Sequence, residues 1–121
     1  MKQYKVKVYN DRTEWYNQNG QRHREDGPAV EYVNGTKYWY INGQLHREDG
    51  PAVEWADGTK YWSFNGQLHR EDGPAIEWAN GTKEWYINGR KLTEQEFNNR
   101  KASCNGKIIE VDGKKYRLTE I

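Results

Sequence analysis

The chain has 121 residues with 19 Lys and Arg against 18 Asp and Glu, a net charge of +1. That balance argues against broad double-stranded DNA binding, which normally needs a clear basic excess. Hydrophobic residues are only 34%, yet there are 6 Trp and 9 Tyr against 2 Phe and 1 Met. A thick aliphatic core is excluded, and a thin layer held by aromatic rings, each burying roughly 150–250 Å², fits better.

In chain order, Met1-Lys2-Gln3-Tyr4-Lys5 lacks the apolar core of a signal peptide, and no run approaches membrane-spanning length. Residues 1–12 read as an N-terminal capping segment with a strand at Lys5–Tyr9. Residues 13–22 form a degraded first repeat. His-Arg-Glu-Asp-Gly-Pro-Ala then starts at His23, His46 and His69, a period of 23 residues. An aromatic stretch ending in Asn-Gly precedes it (Tyr38-Trp39-Tyr40-Ile41-Asn42-Gly43). Val or Ile, Glu, an aromatic, Asn-Gly or Asp-Gly and Thr-Lys follow it. A fixed period of this length marks stacked units that bury their apolar faces against neighbours.

Asn-Gly and Asp-Gly between aromatic and β-branched runs predict hairpins with type I′ turns. With Asn34-Gly35 as a two-residue loop, Val33 faces Thr36, Tyr32 faces Lys37, Glu31 faces Tyr38 and Val30 faces Trp39. Alternation then puts Pro28, Val30, Tyr32, Lys37, Trp39 and Ile41 on one face. Ala29, Glu31, Val33, Thr36, Tyr38 and Tyr40 take the other. The first face is the apolar one, and later copies add Val53, Trp55, Trp62 and Phe64, then Ile76, Trp78, Trp85 and Ile87. The Asn-X-Thr triplets at Asn34 and Asn80 read as turns entering strands, not as glycosylation sites.

The fourth unit begins at Glu84-Trp85-Tyr86-Ile87-Asn88-Gly89 and then loses the heptapeptide. Thr93 and Glu96 form a capping box that predicts a short helix over residues 94–101, with Phe97 covering the last strand pair. Lys107–Val111, Asp112-Gly113 and Lys114–Leu118 predict a terminal hairpin. The expectation is one all-β domain, residues 1–121: a single-layer antiparallel meander of hairpins over residues 13–92, capped by residues 1–12 and by the helix and hairpin of residues 93–121. The caps would block association at open sheet edges.

The 23-residue period, the aromatic strand ending in Asn-Gly, the His-containing connection and the second strand ending in aromatic-X-Asp/Asn-Gly resemble the MORN repeat, a meandering sheet of hairpins. The resemblance covers roughly residues 13–92. It departs in the connection, where the family carries His-Gly-X-Gly and this chain has His46-Arg47-Glu48-Asp49-Gly50-Pro51-Ala52. That variant is similar to repeats of bacteriophage and large-DNA-virus proteins and, more distantly, to MORN-like antitoxins. The resemblance implies a non-catalytic scaffold that binds partners on its aromatic face, and in a phage accessory protein that partner would be a host defence factor. It does not imply membrane binding.

Each candidate site has a structural alternative. His23, His46 and His69 recur two strands apart, roughly 10 Å, too far to share an ion whose ligands lie about 2 Å away. They are read as structural, the ring packed on Trp or bonded to loop backbone, with ligand contact as the alternative. Asp26, Asp49 and Asp72 precede Gly-Pro, where Asp commonly fixes a turn through backbone N–H. Tyr32, Trp39, Trp55, Trp62, Trp78 and Trp85 are either the sheet's core or a binding face, with Tyr38, Tyr40 and Tyr61 on the opposite face as a second contact surface. Arg24, Arg47 and Arg70 would meet phosphates if rings stacked the bases of a nucleotide. No zinc, EF-hand, nucleophile or phosphate-loop motif occurs. The single Cys104 excludes an intrachain disulfide, reads as a free structural thiol and fits a reducing cytoplasm.

The expectation is therefore a non-enzymatic protein-binding scaffold without cofactor or metal, in the cytoplasm of the host cell if phage-encoded. Nucleotide or small-molecule sequestration is the rival reading, and self-association through the aromatic face stays open.

Overall fold

The computed structural model describes residues 4–101, 108–111 and 114–117. Cys104, the Asp112-Gly113 turn, Lys107 and Leu118 lie outside the described residues. The chain divides into two compact units, Met1–Lys91 and Leu92–Ile121, and each is described by itself.

The strands in chain order are β1 (Lys5–Val8), β2 (Arg12–Tyr16), β3 (Val30–Tyr32), β4 (Lys37–Tyr38), β5 (Tyr40–Ile41), β6 (Gln44–Leu45), β7 (Val53–Glu54) and β8 (Lys60–Tyr61). They continue as β9 (Ser63–Phe64), β10 (Gln67–Leu68), β11 (Ile76–Glu77), β12 (Lys83–Ile87) and β13 (Arg90–Leu92). An open antiparallel meander of nine strands runs β1-β2-β3-β4-β7-β8-β11-β12-β13, with side ribbons β5-β6 and β9-β10. The all-β repeat reading holds. The second strand of a repeat, however, is broken at Trp39 and again at Trp62, so β4 and β8 stay in the main sheet while β5 and β9 turn away into the ribbons.

The register differs from expectation by one residue. Val30 pairs with Tyr38 and Glu31 with Lys37, and Gly35 N–H donates to Tyr32 O over 3.0 Å. The Asn34-Gly35 loop thus has three residues, a type I turn closed by a left-handed residue, with positive φ at Gly35 (99°) and not at Asn34. The Asn34 side chain holds this form by accepting the Thr36 N–H at 2.9 Å. The two-residue type I′ turn occurs instead at Asn42-Gly43, where φ is 48° and 83° and Ile41 pairs with Gln44. Asn-Gly therefore makes two different turns within one repeat, with Asp57-Gly58 taking the three-residue position in the middle copy.

Because side chains alternate along a strand, a one-residue slip exchanges faces. Tyr38 and Tyr61 both pair with Val53, so they share a face with Val30, Val53 and Ile76. Trp39 lies opposite Ala52 and Trp62 opposite Ala75, as the Trp39 N–H to Ala52 O and Trp62 N–H to Ala75 O bonds show. The predicted aromatic face is thereby split. Tyr32, Trp55 and Trp78 join Tyr38, Tyr40 and Tyr61 on a tyrosine face. Trp39, Trp62 and Trp85 lie on a tryptophan face with Ala29, Ala52 and Ala75.

The core is correspondingly thin. Ala29, Ala52 and Ala75 are fully buried, and Val30, Val53 and Ile76 are at most 4% exposed. On one side of the backbone a Trp-Ala-Trp ladder covers the alanines, and on the other a Tyr-Val-Tyr ladder covers the valines. Gly50 lies so close to the Arg47 guanidinium that an added Cβ would stand 2.9 Å from Cζ, so a side chain there would have to displace the stacked arginine.

In the second unit, α1 (Glu94–Lys101) occupies the predicted residues. Its capping box is formed: Thr93 N–H donates to Glu96 Oε1 at 2.8 Å, and Glu96 N–H donates to Thr93 Oγ1 at 3.0 Å. Phe97 is buried. The strands β14 (Ile108–Val111) and β15 (Lys114–Arg117) pair antiparallel with Val111 opposite Lys114, the register expected of a two-residue loop.

Candidate functional site

The heptapeptide is a joint built around its arginine. Arg47 Cζ lies 3.8 Å from the centroid of the Trp39 ring, Arg70 lies 3.8 Å from Trp62, and Arg24 lies 4.0 Å from Trp15. Each stack contributes about 0.5–2 kcal/mol depending on how well water is excluded. The guanidinium also pairs with the aspartate two residues on (Arg47 Nε to Asp49, 3.0 Å). Its Nη1 donates to Pro51 O at 3.1 Å and to Glu54 at 3.0 Å. The other two joints repeat this set, at Asp26, Pro28 and Glu31 for Arg24 and at Asp72, Pro74 and Glu77 for Arg70. Where Asp49 was expected to fix its turn through backbone N–H, the structure gives its carboxylate the arginine as partner.

The histidines staple successive repeats. Nδ1 of His23, His46 and His69 accepts the backbone N–H of Asn42, Asn65 and Asn88 in the following unit, at 2.9, 3.0 and 2.9 Å. An Nδ1 that accepts a hydrogen bond carries no proton, so the ring is neutral and its proton is on Nε2. Nε2 faces the glutamate two residues on, at 3.3, 3.3 and 3.0 Å for Glu25, Glu48 and Glu71. The structural reading of the histidines holds in its backbone-bonded form. The group stacked on the tryptophan is the arginine guanidinium, not the histidine ring. At the other end of the strands, Thr36 Oγ1 accepts from Ala56 N–H at 3.0 Å and Thr59 Oγ1 from Ala79 N–H at 3.1 Å. Each repeat is thus pinned to the next at both ends.

The tyrosine face has arginines no closer than 5.9 Å to Tyr32 (Arg12) and 5.8 Å to Tyr40 (Arg22), and its rings pack mainly on one another. Its rings meet edge to face, with centroid separations of 6.2 Å for Tyr32–Tyr38, 6.1 Å for Tyr38–Trp55, 4.5 Å for Trp55–Tyr61 and 5.9 Å for Tyr61–Trp78. Tyr40 stacks on Tyr38 at 6.3 Å. These are favourable aromatic geometries. Every ring in the series is half-buried except Trp78, which is 37% exposed. Burial raises the phenol pKa of Tyr40 and Tyr61 above the ordinary value, so both stay neutral hydrogen-bonding groups.

A glutamate closes each end of this ladder, in the place that Tyr38 and Tyr61 hold in the middle. Glu14 is 2% exposed, bonds the Tyr16 hydroxyl, pairs with Arg12 at 2.5 Å and has Arg22 at 3.8 Å. Burial pushes its carboxyl up, but the Tyr16 bond and the two arginines outweigh that and leave it lowered. Glu84 accepts Trp78 Nε1–H at 2.7 Å and pairs with Lys91 at 3.2 Å. The Trp78 bond, with Lys91, likewise lowers its carboxyl. Sequence reasoning missed these closures and the Arg-on-Trp stacks. Both had a signal, since aligned repeats show Glu where the middle units have Tyr, and an arginine eight or nine residues after Trp15, Trp39 and Trp62.

Between the first two joints lies a groove of about 830 Å³ whose lining includes His23, Glu25, Trp39, Ile41, His46 and Glu48. Among the described residues no group of three or more His, Cys, Asp or Glu is placed to hold a metal, and no helix is long and apolar enough to cross a membrane. Comparison of the chain with family models, curated proteins and solved structures gives no match.

Proposed function

We propose that this protein is a non-enzymatic protein-binding scaffold of MORN-like hairpin repeats whose contact surface is the tyrosine face. The observation that carries the reading is the continuous row Tyr32, Tyr38, Trp55, Tyr61 and Trp78, half-exposed rings in mutual contact on one side of a thin sheet. Tyr and Trp present large, rigid contact area with a polar edge, and they dominate the energetics of protein interfaces. Three pinned repeats hold that row in register, so little conformational entropy is lost when a partner docks. The resemblance supplies the context of a phage accessory protein engaging a host factor.

The nucleotide reading has less support. It would ask Arg24, Arg47 and Arg70 to meet phosphates, and each guanidinium already has an aromatic ring, two carboxylates and a backbone carbonyl as partners. Affinity capture from host lysate, read by mass spectrometry, tests the proposal. Wild-type protein is expected to enrich a defined partner that Trp55→Ala and Trp78→Ala lose. Equal capture by folded variants would remove the tyrosine face as the contact surface.

A further inference from the structure

The sheet is open, and its first strand is an exposed edge. Among the described residues no strand lies beyond β1. All four of its residues are exposed, Val6 by 49% and Val8 by 77%. The strand is nevertheless fixed at both ends. The Tyr4 hydroxyl accepts Glu25 N–H at 3.2 Å, and Tyr9 N–H donates to Arg12 O at 2.7 Å. The second bond sets the alternation, because hydrogen-bonded and non-hydrogen-bonded positions take turns along an antiparallel pair. Lys7 opposite Glu14 and Lys5 opposite Tyr16 therefore turn their backbone groups inward to β2, and Val6 and Val8 turn theirs outward. Trp15, opposite Val6, agrees, since its N–H points away from β1 to Ala29 O at 2.7 Å. A preformed row of outward donors and acceptors is a template for strand addition.

The side chains say what kind of strand fits. Lys5 and Lys7 share the tyrosine face with Tyr16 and Glu14, and Val6 shares the tryptophan face with Trp15. Inside the sheet a lysine is set between carboxylates. Lys37 stands opposite Glu31 on one neighbour and Glu54 on the other, and Lys60 stands opposite Glu54 and Glu77. Lys7 has Glu14 on its inner side, a carboxylate already held by Arg12 and the Tyr16 hydroxyl. Its Nζ lies 5.0 Å from the Tyr16 ring centroid, a contact that does not cancel its charge. A strand that set Glu beyond Lys7 would repeat the Glu-Lys-Glu order of the interior, and opposite charges facing each other across strands are favourable. A second copy does not supply this. Antiparallel pairing of two β1 strands that sets valine on valine also sets lysine on lysine, because both alternate with period two. At the other edge β13 carries Arg90 and Lys91, so head-to-tail pairing likewise brings cations together.

We propose that the outer edge of β1 takes up an extended acidic segment of a protein partner as an added strand, with carboxylates opposite Lys5 and Lys7 and apolar side chains beside Val6 and Val8. The proposal rests on the protein-binding reading and adds a contact at the sheet edge to the one on the tyrosine face. Fluorescence anisotropy on the full chain, at about 0.15 M salt to screen long-range attraction, tests it. The probes are a labelled six-residue peptide alternating Glu and Val and a counterpart alternating Lys and Val. Wild type is expected to bind the Glu-Val peptide about tenfold or more tightly than the other. Val6→Pro removes an outward N–H that no described strand uses, a change that edge strands tolerate. It should weaken binding by about tenfold, roughly 1.4 kcal/mol. The pair Lys5→Gln with Lys7→Gln should weaken it as much. Circular dichroism confirms that each variant is folded, and if Val6→Pro is not, the lysine pair decides.

Equal affinity for the two peptides, or unchanged affinity in the lysine pair, would remove Lys5 and Lys7 as determinants and overturn the proposal. Unchanged affinity in folded Val6→Pro would show that no strand is added, with the same consequence. Concentration-dependent dimerisation in light scattering that Val6→Pro abolishes would instead make a second copy the occupant and overturn the partner assignment. Trp78→Ala is expected to leave peptide binding intact. If the peptide fails to bind while Trp55→Ala and Trp78→Ala still lose the captured partner, the scaffold reading survives and the edge inference does not. If the peptide binds as expected while those variants keep the partner, the edge inference stands and the tyrosine face falls.

Discussion

The two faces of the sheet are built from similar aromatic residues and are finished in opposite ways. On the tryptophan face, Trp15, Trp39 and Trp62 are lidded by arginines that are tied to the following strand by ion pairs. On the tyrosine face the rings of Tyr38, Trp55 and Tyr61 pack edge to face on one another, and charge enters toward the ends, through Glu14 and Glu84 and through Arg12 and Arg22, which lie 5.9 Å and 5.8 Å from the Tyr32 and Tyr40 rings. Both arrangements bury a small residue in the middle, alanine on one side and valine or isoleucine on the other. The lesson is that a thin sheet can be closed on one side by cations over rings and still leave the other side available for contact. Under the proposed function, stability and recognition fall to different faces.

The comparison can be broken most directly at the tryptophan face. Trp39→Ala removes the platform of Arg47 and uncovers Ala52, with an expected loss of about 3 kcal/mol in a urea titration. A loss below about 1 kcal/mol would show that the lidded face is not the structural one. Next in size is the terminal carboxylate. Glu14→Ala leaves Arg12 and the Tyr16 hydroxyl without their buried partner and should cost about 2 kcal/mol.

The same residue sharpens the comparison through pH. The carboxyls of Glu14 and Glu84 are lowered in the folded state, so the unfolded chain takes up their protons first. Their contribution is complete above the ordinary carboxylate range, about pH 4.3, and is lost as pH falls through the lower folded values. Glu14→Gln should flatten the acid limb of a stability-against-pH curve, and an unaltered limb would contradict the assignment.

A smaller effect belongs to the joints. His46→Ala deletes the acceptor for Asn65 N–H and should destabilise by about 1 kcal/mol, with faster amide exchange at Asn65 as the local readout. The smallest stability effect is expected at Trp78→Ala, within about 1 kcal/mol because the ring is partly exposed. There the partner, rather than the fold, should be lost. Stability losses of equal size at Trp39 and Trp78 would erase the distinction between the faces.

Much of the fold was legible in the sequence because its signals are local. The 23-residue period, the antiparallel meander, the helix starting after Thr93 and the terminal hairpin each follow from turn residues, caps and alternation within a few positions. The candidate site was less legible. Tyr32, Trp55 and Trp78 were expected beside Trp39, Trp62 and Trp85, and one residue of register at Asn34-Gly35 moved the second set to the other face. Composition could not settle that, because Asn-Gly is compatible with both a two-residue and a three-residue loop. The Asn34 side chain bonded to Thr36 N–H favours the three-residue form, while Asn42, in the same dipeptide, takes up the left-handed conformation.

By itself, then, the sequence determined that the chain repeats, that its repeats are hairpins, and that its rings and not an aliphatic interior hold them together. Only the tertiary structure decided which rings share a face, that arginine lies on tryptophan, and that histidine of one repeat accepts from the backbone of the next. The reason is physical. Turn chemistry and alternation act over neighbouring residues, whereas a face, a stack and a staple each join groups about 7 to 25 positions apart, and such contacts exist only once the register between strands has been chosen.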